Sequence, residues 1–186
     1  MQLGFFFDQS RCGGCYACVV ACKDWNDIPA GPVFWRRVAK IERGRFPQVE
    51  VAFFSGSCYH CTAPLCLQAC PSGAIRKEEN GIVQVDREVC WGREECGGAC
   101  AIACPYMAPQ FGPEPGAKMQ KCTLCAERWA QGKKPICVQA CPLRALDAGP
   151  MDELERRYGE YGRVREVEGF ALNGSCRPSI IFKKKG

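Results

Sequence analysis

Histidine is almost absent from this sequence of 186 residues, in which His60 is the only one. Enzymes that move protons in their reactions use histidine more often than any other side chain. The sequence also offers neither a Ser, His and Asp set nor a glycine-rich phosphate loop. We therefore expect a chain that is not an enzyme by itself.

Long apolar runs are also missing. No window approaches the roughly 20 apolar residues that a helix needs to cross a bilayer, so we expect no membrane span in this chain. The first residues have three consecutive phenylalanines before Asp8, without the basic stretch, apolar run and cleavage site of a secretory signal. Any link to a membrane is expected to come through a partner.

Cysteine, in contrast, accounts for 17 of the 186 residues, a density that in short chains indicates a core held by disulfides or metal. Disulfide frameworks scatter their cysteines, whereas sixteen of these lie in four tight groups, which favours metal. The formal net charge of +5 counts neither thiolates nor metal. It therefore gives no reason to expect a nucleic-acid partner.

All four groups end with two cysteines separated by three residues. Group one is Cys12, Cys15, Cys18 and Cys22; group two is Cys58, Cys61, Cys66 and Cys70; group three is Cys90, Cys96, Cys100 and Cys104; group four is Cys122, Cys125, Cys137 and Cys141. Proline follows the last cysteine of groups two, three and four, at Pro71, Pro105 and Pro142. Because proline fixes φ and lacks an N–H donor, each predicts a sharp turn.

The spacing Cx2Cx2Cx3C of group one is the bacterial ferredoxin signature, in which the fourth cysteine ligates the other cluster of a pair. Three thiolates on a tight loop wrap one cubane, and the fourth, inside a helical turn, points away. Sixteen cysteines in four groups therefore fit two pairs of groups and four [4Fe–4S] clusters. Zinc is the competing metal, but closed zinc sites need only pairs of cysteines.

Two residues stand apart from the sixteen. Cys176 lies far from the groups along the chain, and we expect a structural or free thiol there. His60 lies between Cys58 and Cys61, where it could ligate a cluster or donate to a cluster sulfur. A supporting position behind the ligands, or a surface position, is the expectation.

Short apolar or alternating runs predict strands at residues 4–8, 49–54 and 81–86. Stretches rich in Ala and Val predict one or two helical turns after the cysteine loops. From Met151, acidic residues followed by arginines predict a helix that ends near Gly159 or Gly162. The apolar stretch at residues 179–182 predicts an edge strand or a partner contact. The expected fold class is α+β with extensive loop.

With these motifs in view, the chain resembles the iron–sulfur, electron-transfer subunit of the anaerobic dimethyl sulfoxide reductase family of molybdopterin oxidoreductases. The matching stretches are residues 4–27, 57–75, 106–111 and 121–154. They cover most of the chain in the family's order, and the segment from Trp35 to Pro47 and the tail match only loosely.

The resemblance implies four [4Fe–4S] clusters in two ferredoxin-like modules nested in sequence, with group one paired to group four and group two to group three. Four ligand sets then follow: Cys12, Cys15, Cys18 and Cys141; Cys122, Cys125, Cys137 and Cys22; Cys58, Cys61, Cys66 and Cys104; Cys90, Cys96, Cys100 and Cys70. The outer module is expected at residues 1–48 and 112–150, the inner module at 49–111, and a partner-facing C-terminal helix and tail at 151–186.

The resemblance also implies a function in anaerobic respiration. The expected role is a non-catalytic subunit that relays electrons between a molybdenum or tungsten bis-pterin catalytic subunit and a quinone-linked membrane subunit or another carrier. Relatives of this kind can be exported folded with a signal-bearing partner, so the compartment stays open between cytoplasm and export. The alternatives are a free-standing polyferredoxin shuttle and, more remotely, a zinc-stapled structural module.

Two further features of the sequence bear on the clusters. Group three has four more residues than the family's tighter spacing, which enlarges a loop and puts the ligand roles of Cys90 and Cys96 in question. Basic residues near the ligands either raise cluster potentials or only balance charge at the surface. They are Arg11, Lys23, Lys121 and Arg144.

Overall fold

The protein is built from short helices and strands joined by loops, as predicted from the sequence. The computed structural model describes residues 1–159, 166–167, 170–171 and 173–185. The strands are β1 (Leu3–Asp8), β2 (Arg36–Arg45), β3 (Gln48–Ser57), β4 (Ile75–Lys77), β5 (Val83–Val85), β6 (Leu146–Pro150), β7 (Glu166–Val167), β8 (Phe170–Ala171) and β9 (Ile180–Lys183). The helices are α1 (Ala17–Trp25), α2 (Leu65–Gln68), α3 (Arg93–Cys96), α4 (Ala99–Ala103), α5 (Ala126–Ala130), α6 (Ile136–Gln139) and α7 (Met151–Tyr158).

The central sheet joins distant parts of the chain. Its strand order is β6-β1-β9, with β1 antiparallel to β6 and parallel to β9. All six residues of β1 are buried, as expected for a middle strand covered on both faces. The strands predicted at residues 4–8 and at the apolar tail stretch are therefore confirmed, the second as the edge strand β9.

The two faces of this sheet pack against different layers. Because side chains alternate along a strand, Phe5 and Phe7 belong to the main core that holds many of the cysteines, whereas Phe6 packs with Met151 and Leu154 of α7. The Phe6 ring stacks on Tyr158 at 3.7 Å between centroids. The predicted helix from Met151 is confirmed and ends before Gly159; Gly162 lies outside the described residues.

The long hairpin formed by β2 and β3 is the largest element that was not predicted as a whole from the sequence. Arg36 pairs with Ser57 at the inner end, and Arg45 pairs with Gln48 at the outer end. The inner end is buried and the outer end is exposed. Because only one end of β2 is buried, its alternating pattern is too short to predict a strand, although the run at residues 49–54 does lie in β3.

Helices that carry cysteines from different groups pack in pairs. Helix α1 of group one contacts α6 of group four, and α2 of group two contacts α4 of group three. The hairpin of β4 and β5 lies between groups two and three, where the run at residues 81–86 predicted a strand. Turns follow the last cysteine at Pro71, Pro105 and Pro142, as predicted.

Candidate metal centres

Two cavities are each lined by three cysteines of one group and the last cysteine of another. We call these cysteines set A (Cys12, Cys15, Cys18, Cys141) and set C (Cys58, Cys61, Cys66, Cys104). The other eight grouped cysteines are named by the expected exchange of ligands as set B (Cys22, Cys122, Cys125, Cys137) and set D (Cys70, Cys90, Cys96, Cys100). None of the seventeen cysteines, all of which lie in described residues, forms a disulfide.

Set A surrounds a small cavity between the group-one loop and the turn after α6. All four of its cysteines line that cavity. Burial raises the pKa of the Cys12 thiol, and the thiolates of Cys18, Cys141 and Cys15 raise it further. Cys15 is exposed to solvent, so this cavity lies close to the protein surface.

Set C surrounds a second small cavity, which is more enclosed by the protein. Cys58, Cys61, Cys66 and Cys104 line it together with Cys176. Burial raises the pKa of Cys66 to about 12, and the thiolates of Cys58 and Cys104 contribute.

In sets B and D, the thiols act electrostatically on one another's pKa. Burial raises the pKa of Cys22 to about 12, with the thiolates of Cys137 and Cys125 adding to the effect. Burial likewise raises the pKa of Cys100 to about 11, with Cys96, Cys70 and Cys90 adding to it.

The enlarged loop of group three does not separate its cysteines. The extra residues contribute to the short helix α3, and Cys90 and Cys96 both remain electrostatic neighbours of Cys100. The backbone N–H of Met119 donates to Cys90 Sγ at 3.5 Å.

Neighbouring sets also interact with one another. The thiolate of Cys137 in set B raises the pKa of Cys18 in set A. Cys58 in set C acts in the same way on Cys122 in set B, and Cys100 in set D acts on Cys66 in set C. These effects on pKa link set A with set B, set B with set C, and set C with set D.

The cysteine loops aim backbone donors at sulfur. Leu124 N–H donates to Cys122 Sγ at 3.4 Å, and Ala145 N–H donates to Cys141 Sγ at 3.3 Å. Leu124 and Cys125 have φ values of 54° and 50°, which cost roughly 1–2 kcal/mol each for residues with a Cβ. Such strain persists where the surroundings compensate it, and it is concentrated at functional sites.

The chemistry of these thiols suits iron–sulfur clusters. Buried thiols that raise one another's pKa are poor anions by themselves, and a bound metal reverses this because a coordinating thiol is deprotonated outright. Within the described ranges, no three His, Cys, Asp or Glu side chains are placed to hold a single metal ion. A [4Fe–4S] cluster spreads its four thiolates over separate iron atoms, so its ligands need not converge on one ion.

Three buried cations accompany the thiols in the described residues: Lys121, Arg36 and Arg128. Lys121 is 2% exposed and donates to the carbonyl oxygens of Val83 and Cys122; it also lines the cavity of set C. For Lys121 the surface alternative is therefore wrong, whereas Arg11 and Arg144 are exposed and Lys23 is half-buried. The second buried cation is Arg36, which is 3% exposed.

Sequence reasoning missed Arg36 because it is far from every cysteine group along the chain. The one available signal was that Arg36 begins an alternating stretch of residues. Its guanidinium donates to Ser55 Oγ at 3.1 Å and to Ser57 Oγ at 3.0 Å. Arg36 therefore lies on the buried inner end of the hairpin, beside the cysteine-rich core.

His60 is fully buried, so the surface position considered for it is wrong. Its Nδ1 accepts a hydrogen bond from Val83 N–H at 3.0 Å, which places the ring proton on Nε2. Burial, together with the nearby lysines Lys121 and Lys77, holds the pKa of His60 well below its usual range. Nε2 has no hydrogen-bond partner among the described residues, and His60 is thus a neutral donor behind the group-two loop.

Cys176 is also buried, in keeping with the structural role predicted for it. Its Sγ lies 3.7 Å from the hydroxyl oxygen of Tyr106 and 3.5 Å from the carbonyl oxygen of Asn173. Cys176 also lines the cavity of set C beside Cys61, whose pKa is raised by burial and by nearby thiolates. The sequence did not predict this proximity to a candidate ligand.

No helix in the part of the chain that the structure describes has the length and apolar character to cross a membrane.

Comparison with known proteins is consistent with this chemistry. Two family profiles for a 4Fe–4S dicluster domain match the chain, one over residues 49–151 and the other over residues 11–74. The chain is 46% identical over 190 residues to one of the chains of anaerobic dimethyl sulfoxide reductase from Escherichia coli (strain K12), covering 98% of this chain and 88% of the relative. It is 42% identical over 173 residues to the thiosulfate reductase electron transfer subunit of Salmonella typhi, covering 90% and 86%. It is 39% identical over 192 residues to a sulfite dehydrogenase subunit of Allochromatium vinosum, covering 92% and 77%.

Proposed function

Because this protein is a member of the family of iron–sulfur electron-transfer subunits found in anaerobic dimethyl sulfoxide reductase and its relatives, we propose that it carries four [4Fe–4S] clusters in series. In this proposal it relays electrons between a molybdenum or tungsten bis-pterin catalytic subunit and a quinone-linked membrane subunit or another electron carrier. The chain itself is a non-catalytic subunit.

The observation that carries the proposal is the lining of the cavities at sets A and C. Each cavity combines three cysteines of one group with the last cysteine of another, as in the exchange of ligands found in two-cluster ferredoxins. In the proposal, each of sets A, B, C and D holds one cluster. Groups one and four then form an outer module at residues 1–48 and 112–150, and groups two and three form an inner module at 49–111.

The packing of secondary structure supports the nested arrangement. Strand β1, which precedes group one, pairs with β6, which follows group four. Helix α1 packs against α6, and α2 packs against α4. Each contact joins two groups that share ligands in the proposal.

The protein's own groups hold and tune the sites. The thiols exchange their protons for iron, the backbone N–H groups of Leu124 and Ala145 donate to ligand sulfurs, and the apolar core limits access of water. When bound, each cluster accepts and releases one electron, and its potential depends on such hydrogen bonds, on nearby charge and on exposure. Lys121 supplies a fixed positive charge between sets B and C.

The electrostatic contacts between sets support an order of transfer. A thiolate of set B acts on the pKa of a thiol in set A, and sets C and B, and D and C, are linked in the same way. Set A includes the exposed Cys15. One end of the relay is therefore expected at set A, with the opposite end at set D.

The first experiment is chemical analysis of the full chain prepared without oxygen. Four clusters predict about sixteen iron and about sixteen acid-labile sulfide atoms per chain. Material without iron and sulfide, or with zinc instead, would overturn the proposal.

The ligand exchange is tested by paired substitutions read by electron paramagnetic resonance. Cys141→Ser should alter the same reduced-cluster signal as Cys12→Ser, and Cys22→Ser should alter the same signal as Cys122→Ser. If Cys22→Ser instead alters the signal that Cys12→Ser alters, each group binds its own cluster and the nested arrangement is wrong.

The partner is tested by purifying the native complex anaerobically through this chain. A large subunit that contains molybdenum or tungsten together with a pterin cofactor is the expected companion. A chain that purifies alone and reduces several unrelated acceptors would support the free shuttle instead.

A further inference from the structure

Arg36 is a buried cation that no carboxylate neutralises. Its side chain donates to two serine hydroxyls, Ser55 Oγ at 3.1 Å and Ser57 Oγ at 3.0 Å, and its guanidinium carbon lies 4.8 Å from the centre of the Phe5 ring. Among the described residues, no Asp or Glu forms an ion pair with it. A buried charge without a counter-charge costs several kcal/mol, so its position calls for an anion from another source.

Cysteine thiolates are the anions that act on Arg36. Burial opposes its protonated form, yet the thiolates of Cys137, Cys18, Cys122 and Cys22 raise the pKa of Arg36 above its usual value. One of these cysteines is in set A and three are in set B. Strand β2, which begins at Arg36, packs against helix α1, which carries Cys18 of set A and Cys22 of set B.

A serine connects Arg36 directly to a candidate ligand. Ser55 Oγ accepts a hydrogen bond from Arg36 and lies 3.6 Å from Cys18 Sγ. Because the hydroxyl has one proton and two lone pairs, it can accept from the guanidinium and donate to the sulfur at the same time. When Cys18 binds iron as a thiolate, its sulfur has no proton and can only accept the hydrogen bond from the Ser55 hydroxyl.

The hairpin fixes this arrangement. Arg36 and Ser57 are paired across β2 and β3, and Ser55 is two residues from Ser57, so both serines point to the same face of the strand. Both hydroxyls are therefore held on the side of the buried guanidinium.

We infer that Arg36 is the shared counter-ion of the clusters at sets A and B, and that it raises the reduction potentials of both. Reduction adds one negative charge to a cluster, and a fixed cation nearby stabilises the reduced form more than the oxidised form. Arginine suits this task because it does not lose its proton in proteins. The inference rests on the proposed function, since it needs clusters at these two sets.

The test is a potentiometric titration of the full chain, followed by electron paramagnetic resonance, in the wild type and in Arg36→Met. The signals of sets A and B are assigned beforehand with Cys12→Ser and Cys122→Ser. We expect both signals to require a lower potential in Arg36→Met, with at least a tenfold decrease in each reduction equilibrium constant, which is about 59 mV for one electron. The signals of sets C and D should shift less.

A matched control separates the local effect from the loss of net charge. Arg45 is on the same strand at the exposed end of the hairpin, so Arg45→Met makes the same chemical change far from the buried guanidinium. It should leave all four potentials at their wild-type values. Equal shifts in Arg36→Met and Arg45→Met would overturn the inference, as would unchanged potentials in an iron-replete Arg36→Met.

A second variant covers the case in which Arg36→Met fails to load iron. Arg36→Lys keeps the charge and should retain iron and potentials nearer to the wild type. If Arg36→Lys also loses its iron, charge alone is insufficient and the counter-ion role is overturned. Wild-type material that lacks iron would instead refute the proposed function, so the two failures are distinguishable.

Discussion

Substitution of Cys176 by alanine separates a supporting thiol from a ligand. Cys176 lines the cavity of set C together with Cys61, so it is a seventeenth cysteine beside a proposed cluster. When Cys61 binds iron as a thiolate it can only accept a hydrogen bond, and the thiol proton of Cys176 is then the donor. The Tyr106 hydroxyl lies behind that thiol at 3.7 Å and accepts from Asn173 N–H at 3.0 Å.

The magnitude follows from these contacts. Cys176→Ala removes one buried heavy atom, which costs about 0.5–1.5 kcal/mol in packing, similar to the loss of one buried methyl group. The lost hydrogen bond is worth about 0.5–1.5 kcal/mol more to the reduced cluster. Since about 1.4 kcal/mol corresponds to about 59 mV for one electron, the potential of the set C cluster should fall by about 20–60 mV.

The assay measures iron and potential together on the full chain prepared without oxygen. Cys176→Ala should keep about sixteen iron atoms, and the lower potential should be confined to one signal. Cys61→Ala is the contrasting variant and should lose that cluster or convert it. Cys176→Ser retains a donor and should shift the potential less than Cys176→Ala.

The reasoning is refuted by the reverse pattern of iron loss. If Cys176→Ala loses about four iron atoms while Cys61→Ala keeps them, Cys176 is the ligand and Cys61 is the supporting thiol. Unchanged iron together with an unchanged potential would show that the thiol makes no hydrogen bond to the bound site.

Three other substitutions test the fold and the buried charge. Asp147→Asn should lower the melting temperature at pH 7 by roughly 3–10 °C, because hydrogen bonds to a buried carboxylate are worth about 1.5–3 kcal/mol. Although burial opposes it, hydrogen bonds from lysine, tyrosine and a backbone N–H lower the pKa of Asp147. This stabilisation is therefore present above about pH 4, is lost as pH falls through the folded-state pKa, and should be missing from the melting curves of the variant. Lys121→Met should lower the potentials of the clusters at sets B and C by on the order of 90 mV, since a unit charge roughly 8 Å away is worth on the order of 2 kcal/mol at an effective dielectric constant of 20; unchanged titrations would contradict this. Gly4→Ala should reduce the yield of iron-loaded chain, because its Cβ would lie 2.5 Å from the carbonyl oxygen of Ser179, whereas Gly149→Ala, whose Cβ meets only Leu154 at 3.7 Å or more, should load normally.

Local sequence signals predicted the parts of the fold that depend on neighbouring residues. The cysteine spacings, the turns at the three prolines and helix α7 all follow from the preferences of short segments. Strand β1 was predictable because three consecutive phenylalanines require a buried, extended segment. The spacing also predicts that the last cysteine of a group serves another group, and this stays a prediction.

The features that it did not predict depend on contacts between distant segments. Arginine in a strand is usually exposed, and only the pairing of β2 with β3 buries Arg36 beside the cysteines. Cys176 meets Cys61 because β9 returns the end of the chain to the central sheet. His60 was expected behind the ligands or at the surface, and its buried ring accepts a hydrogen bond from Val83 of β5, a segment distant along the chain.

The strand order β6-β1-β9 has a consequence for assembly inside the cell. Strand β1 can complete its sheet only after both neighbours, β6 and β9, have been synthesised, and residues 12 and 141 are 129 positions apart. At about 5–20 residues per second, the first cysteine loop waits roughly 6–26 seconds for Cys141. Cofactor delivery to that loop is therefore expected after translation, and a maturation factor that shields the waiting thiols from oxygen would find its target there.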